Sequence, residues 1–235
     1  MILNTVKTYL RDFVGLFYPN LCLACGYNLS AGDQSNICIS CEYHMVKTHF
    51  HLKKTNEFTD RLAGRVPLHS ATALYYFIKD TPVQKMLHKL KYSNKPEIGI
   101  EMGQLYGAML IDSPIYHDID VIVPVPLHPR KEHKRGYNQS IKFGEGLADA
   151  MRKPMLKDGL IKVELNESQT RKNRMERAEN TQDMYELNPM AKLEGKHILL
   201  VDDVMTTGAT IEACVLPLLA IPNVKISVAT IAIAK

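Results

Sequence analysis

The sequence predicts an α/β fold in which helices cover both faces of an open, mainly parallel sheet. Strand-like and helical segments alternate along the chain from residue 71 onward. One apolar run, Ile198 to Val201, is continuous, as a strand buried on both faces requires. The two segments that look chemically active, 124 to 130 and 202 to 210, each follow a strand-like run, which is where open parallel sheets place their ligands.

With 235 residues, 46% of them hydrophobic and 23% charged, the chain is long enough for one sizeable domain and an appendage. It contains no uninterrupted apolar span of about eighteen residues, so no transmembrane segment is expected. Met1 to Pro19 interrupts its apolar residues with Lys7, Arg11 and Asp12 and lacks a small-residue cleavage site. It does not read as a secretory signal, and a cytoplasmic location is expected. The net charge of +4 says little about nucleic acid; where the basic residues cluster says more.

Residues 1–18 read as an amphipathic helix, with Ile2, Val6, Leu10, Phe13, Val14 and Phe17 at three- and four-residue spacings, packing on the body of the protein. Residues 19–45 are expected to form a four-cysteine module. Cys22, Cys25, Cys38 and Cys41 follow the pattern C-x2-C-x12-C-x2-C, so each pair brings two thiolates to one ion across a tight turn, which Gly26 suits. Tetrahedral structural zinc is the favoured reading; two disulfides and an iron–sulfur centre are the alternatives. Residues 46–68 are polar, basic and without clear period, and read as a linker into a domain spanning 69–235.

Within that domain Ala71 to Ile78 reads as a strand. Thr81 and Pro82 suit the N-cap and first position of a helix whose apolar face is Val83, Met86, Leu87 and Leu90, ending among Lys89, Lys91, Tyr92 and Lys95. A second helix is expected over Ile98 to Ile111, and a buried strand over Ile119 to Val123. Then come Arg130, Lys131, Lys134 and Arg135, opposed only by Glu132, and a helix around Ile141, Phe143 and Leu147. Four cations at a strand end suit a pyrophosphate or a nucleic-acid backbone, with a solvated face as the plain alternative. A strand near Leu160 to Val163 precedes a polar stretch, Gln169 to Asn180, that carries Arg171, Lys172, Arg174 and Arg177. Ile211 to Leu219 looks helical, with Cys214 as a core residue, and Val224 to Ile233 looks like a final buried strand.

Asp202 and Asp203 follow the continuous run at once, and Val204 and Met205 lead into Thr206, Thr207, Gly208, Ala209 and Thr210. A small, hydroxyl-rich turn ahead of a helix can point several N–H groups and hydroxyls at one anion, and the helix dipole adds to the pull. Two carboxylates beside such a turn suit a ligand that carries sugar hydroxyls and a phosphate together. An ordinary turn with an Asx motif and a Thr cap is the plain alternative.

Buried strand, acid pair, two variable residues and Thr-Thr-Gly together resemble the phosphoribosyl pyrophosphate signature of type I phosphoribosyltransferases. The resemblance implies that Asp202 and Asp203 hold the ribose hydroxyls and that Thr206, Thr207, Gly208, Ala209 and Thr210 bind the 5′-phosphate. It puts Val125, Pro126 and Leu127 in the loop that contacts pyrophosphate, with magnesium accompanying the ligand. It also makes residues 168 to 185 a mobile loop over the reacting centre, where the residues alone equally suit an exposed basic helix. The four-cysteine module, Lys89 to Tyr92, Pro124 to Leu127, Arg135 to Gln139, Thr170 to Arg174 and Val201 to Gly208 occur here in one order. Together they are similar to the ComF competence family, which implies a role in uptake of transforming DNA. Single-stranded DNA and a competence-machinery protein such as a helicase are the partners so implied. Two functional classes follow. One is a transferase of phosphoribosyl groups to an unidentified acceptor; the other is a binding module that retains the sugar-phosphate pocket. In the second, Tyr92 and Tyr137 are either stacking platforms for bases or core residues.

Overall fold

Four strands pair in parallel to form the main sheet: β1 (Ser70–Phe77), β6 (Lys225–Ala234), β5 (His197–Met205) and β2 (Val121–Pro124), in that spatial order. A computed structural model describes residues 19–29, 36–163 and 185–235. The helix expected over residues 1–18 lies outside these, as do 164–184 and most of the expected mobile loop.

The period-two alternation of a strand explains the apolar run in β5. Leu199 and Val201 join the core on one face of the sheet, and Ile198 and Leu200 join the core on the other. The first face is covered by α3 (Pro82–Tyr92), α4 (Glu97–Ile111) and α6 (Gln139–Met151), which contribute Leu87, Leu90, Met102, Tyr106, Phe143 and Leu147. The second face is covered by α2 (Glu57–Leu62) and α7 (Ala209–Leu219) through Phe58, Leu62, Ile211, Cys214 and Leu218. Each fully buried Leu or Phe contributes about 1.5–3 kcal/mol of transfer free energy, so this double layer holds the strands. Cys214 is fully buried in it.

Two glycines let α4 and α6 touch backbone to backbone. A Cβ on Gly103 would stand 2.2 Å from the Phe143 carbonyl oxygen, and one on Gly146 would stand 2.0 Å from that of Ile100. The start of α6 is fastened in turn to the end of β2. Asn138 caps the helix by accepting from Ser140 N at 2.9 Å, while its side-chain amide donates to the Val125 carbonyl at 2.9 Å.

Residues 46–68, expected to be a linker, are part of the fold. Tyr76 N donates to the Val46 carbonyl at 2.9 Å and Thr48 N to that of Leu74 at 3.1 Å, so this segment runs along the free edge of β1 and covers it. Asn56 then caps α2, accepting from Phe58 N at 2.9 Å, and its amide donates to the Ala71 carbonyl at 2.9 Å. Phe58 and Leu62 are four residues apart, so one turn of helix puts both into the core; a helix of six residues is too short for its period to stand out among charged neighbours. The strand expected near Leu160 is present but stands outside the main sheet. β3 (Leu160–Lys162) pairs antiparallel with β4 (Tyr185–Leu187) in a separate two-stranded sheet. Residues 154–156 run beside β2 instead, with Ile122 N bonded to the Pro154 carbonyl at 3.0 Å and Leu156 N to that of Ile122 at 2.9 Å. Among the described residues no helix is long and apolar enough to cross a membrane.

Candidate sugar-phosphate pocket and four-cysteine cluster

The carboxyl ends of β5 and β2 open into a cavity of about 370 Å³, within the size range of small-molecule sites. Asp202 and Asp203 form its floor. Asp202 Oδ1 accepts from the Ser140 hydroxyl and from Asp203 N, both at 2.8 Å, so the cap of α6 fixes the first carboxylate. Asp203 Oδ2 pairs with Lys91 Nζ at 3.0 Å, from the last turn of α3. Thr206 and Thr210 line one side, Val125, Pro126 and Leu127 another, and Lys131, Arg135 and Lys162 bring positive charge. Lys162 donates to the Tyr185 hydroxyl at 3.0 Å across the small β3–β4 sheet, and both residues line the cavity.

Burial and then the neighbouring charge of Asp203 push the Asp202 carboxyl up to about 7, against the pull of Ser140, Asp203 N and Lys91. Burial and then the Lys131 charge pull Lys162 below the usual lysine range. Burial also pushes the Tyr185 hydroxyl up, helped by the negative charges of Cys214 and Asp202 when ionised. A strained acid beside several cations favours a ligand that brings both a cation and a polyanion.

The turn after β5 is braced from outside the cavity. Arg65 donates through Nη1 to the Thr207 carbonyl at 2.7 Å and through Nε to Glu212 Oε2 at 3.0 Å. Gly208 has φ +83°, and a Cβ there would meet Leu62 Cδ2 at 2.7 Å and Arg65 Nη1 at 3.2 Å. Residues 46–68 therefore shape the turn as well as the sheet edge.

The four cysteine sulfurs of the N-terminal module, which includes the short helix α1 (Ile39–Tyr43), converge beside α3, all within 4.8 Å of one another. Cys25 Sγ and Cys38 Sγ are 3.8 Å apart, and all four thiols are free rather than bridged. One ion with thiolate bonds of about 2.3 Å needs sulfurs about 3.8 Å apart, so the cluster fits a single four-coordinate metal. Burial opposes ionisation of Cys22, but N–H groups of Cys38, Cys25 and Ala24 outweigh it and bring the thiol down to about 6. Gly26, at φ +82°, makes the turn between the first two ligands, with its N–H on the Cys22 carbonyl at 2.9 Å. Lys89 Nζ, reaching the Leu23 carbonyl at 3.2 Å, docks this module on α3.

The phosphoribosyl transferase domain family matches residues 138–235. The DNA utilization protein YhgH of Escherichia coli K12 is 26% identical over 133 residues, covering 55% of this chain and 58% of that protein. Competence protein F of Haemophilus influenzae is 27% identical over 135 residues, with 55% and 58% covered. Competence protein ComFC of Bacillus subtilis is 35% identical over 91 residues, 39% of this chain and 35% of that protein. The chain is thus similar, over part of its length, to proteins of competence and DNA utilization, as the ComF resemblance of its sequence implied. Its match spans a little over half the length of the first two of these relatives.

Of the residues singled out in the sequence, the cavity brings together Asp202, Asp203, Thr206, Thr210, Val125, Pro126, Leu127, Lys131 and Arg135. Lys134 lines a neighbouring cavity, and Arg130 is exposed on α5 (Pro129–Arg135), a short helix capped by His128. Thr207, Gly208 and Ala209 shape the turn without lining the cavity. Arg171, Lys172, Arg174 and Arg177 lie outside the described residues. Tyr137 is a core residue, buried with its hydroxyl on the Leu90 carbonyl, whereas Tyr92 is exposed. Sequence reasoning missed Lys91, Ser140, Lys162 and Tyr185 as pocket residues. Asn138 followed by Ser140 two residues later was a readable cap, but nothing local links Lys91 or Lys162 to an acid 40 or more residues away in the chain.

Proposed function

We propose that this protein is a member of the ComF family that binds phosphoribosyl pyrophosphate with magnesium at the β5–β2 pocket and serves in the handling of DNA taken up by the cell. The observation that carries the first part is the joining of the Asp202–Asp203 pair with Thr206 and Thr210, the two ends of the turn, in one cavity lined with cations. Asp202 and Asp203 hold the ribose hydroxyls, the turn takes the 5′-phosphate on its N–H groups and hydroxyls, and Lys131, Arg135 and Lys162 face the pyrophosphate. Magnesium supplies the remaining charge neutralisation through the ligand's own phosphate oxygens. The names borne by the relatives and the cations of α5, Arg130 and Lys134 among them, support single-stranded DNA as the second partner. The four cysteines hold zinc in a structural role, because every coordination position is filled by protein.

Titration calorimetry with phosphoribosyl pyrophosphate and magnesium tests the pocket on the wild type and on Asp202→Asn with Asp203→Asn. Binding by the wild type and its loss in the double variant are expected; equal binding by both proteins rules the assignment out. Pyrophosphate release in the same samples reports any turnover.

A further inference from the structure

Beside the sugar-phosphate pocket lies a second cavity of about 400 Å³, between the end of α3 and the exposed helix α5. It is lined by Lys91, Tyr92, Asn94, Lys131, Lys134 and Arg135, four cations and no acid. Among the described residues no carboxylate forms an ion pair with Lys131, Lys134 or Arg135; Arg135 Nη1 donates to the neutral Gln139 at 2.6 Å, and Lys91 is held by Asp203. Cations left without acids along a concave surface attract a polyanion. The aromatic member adds a chemical preference. Tyr92 is 64% exposed, with the Arg135 guanidinium over its ring at 5.5 Å from the centroid and the His88 ring tilted against it at 4.8 Å. An aromatic ring that already stacks on planar groups thus stands beside the positive charge, and a base would take the place of the guanidinium on it. Lys91, Lys131 and Arg135 line both cavities.

We propose that the second cavity binds a nucleoside phosphate, with its base on Tyr92 and its phosphate among Lys131, Lys134 and Arg135, and that it shares Lys91, Lys131 and Arg135 with the sugar-phosphate pocket. The coupling between the two ligands rests on the phosphoribosyl pyrophosphate reading; the nucleoside phosphate site does not. Two polyanions that draw on three common cations oppose each other's binding, and linkage makes the opposition reciprocal. Saturating the first pocket weakens the second about tenfold, and the second weakens the first by the same factor. Free nucleotides and the backbone of a single strand offer the same chemistry, so both enter the test.

The probes are dTMP, inorganic phosphate and a fluorescein-labelled thymidine oligomer of about six nucleotides, titrated against wild type, Tyr92→Ala, Lys134→Ala and the double variant. Each single variant is expected to lose about fivefold or more in affinity for dTMP and the oligomer, with phosphoribosyl pyrophosphate affinity unchanged. Tighter binding of the oligomer than of dTMP assigns the site to a strand, and equal binding assigns it to a free nucleotide. A double variant that binds both probes within about twofold of wild type overturns the site, and inorganic phosphate binding as well as dTMP overturns the stacking. If the wild type binds both ligands independently, the sharing of cations is wrong. If it binds no phosphoribosyl pyrophosphate, the pocket reading fails while the Tyr92 and Lys134 variants still decide the nucleotide site.

Discussion

Replacing Gly208 by Ala probes the turn that follows the acid pair through a single methyl group. The residue sits at φ +83°, where an L side chain costs about 1–2 kcal/mol. The new Cβ would also stand 2.7 Å from Leu62 Cδ2, and Leu62 is fully buried against the sheet, so it cannot swing away into solvent. Overpacking of this kind costs a further ~1–3 kcal/mol. Gly195→Ala is the matched control: its φ is +66°, and nothing lies within 4 Å of the position a Cβ would take. That variant pays the backbone term alone. Urea unfolding is expected to show Gly208→Ala less stable than Gly195→Ala by about 1–3 kcal/mol, the size of the packing term. Calorimetry is expected to show on the order of tenfold weaker phosphoribosyl pyrophosphate binding for Gly208→Ala only, because the turn must shift to admit the methyl. Equal destabilisation of the two variants would refute the role assigned to Leu62, and unchanged affinity would refute the role assigned to the turn.

Asp202, held near 7 instead of 3.8, keeps a proton in the folded chain that the unfolded chain has lost. The folded state binds more protons over that window, so stability falls as pH rises from about 4 to about 7 and levels off above. Asp202→Asn is expected to unfold at a higher temperature than wild type at pH 8 and to match it near pH 4; a constant difference across that range would exclude this origin. In the wild type, binding of phosphoribosyl pyrophosphate with magnesium is expected to weaken as pH drops below about 7, since the proton competes for the carboxylate. Arg65→Ala removes a half-exposed ion pair to Glu212 and the brace on Thr207. Its stability is expected to change by less than about 1 kcal/mol. Its affinity for the same ligand is expected to drop severalfold, and a calorimetric constant equal to that of the wild type would show that the brace does not shape the turn.

The main sheet was legible because its strands are buried on both faces and its helices carry strong apolar stripes. Ile198 to Val201 and the face formed by Val83, Met86, Leu87 and Leu90 needed no tertiary context. The acid pair and the turn behind it were legible for the same local reason, being consecutive in the chain. The β3–β4 pair was not, since three-residue strands have too little pattern to reveal their partner. Nor was the brace from Arg65, whose partners Thr207 and Glu212 lie more than 140 residues further on. A polar surface over α2 hid the two residues, Phe58 and Leu62, that tie residues 46–68 to the core. Lys91 looked like an ordinary basic helix end, because the acid that claims it comes from another layer of the fold.

The backbone contact between α4 and α6 has a consequence for how this protein tolerates change. Side-chain contacts can yield by rotating, but the Phe143 carbonyl facing Gly103 and the Ile100 carbonyl facing Gly146 have no rotamer to offer. Any larger residue there must push one helix off the other, and α6 carries Ser140, which holds Asp202. Evolutionary freedom at this seam is therefore far narrower than its distance from the pocket suggests. Damaging alleles that leave every pocket residue intact are expected to gather there.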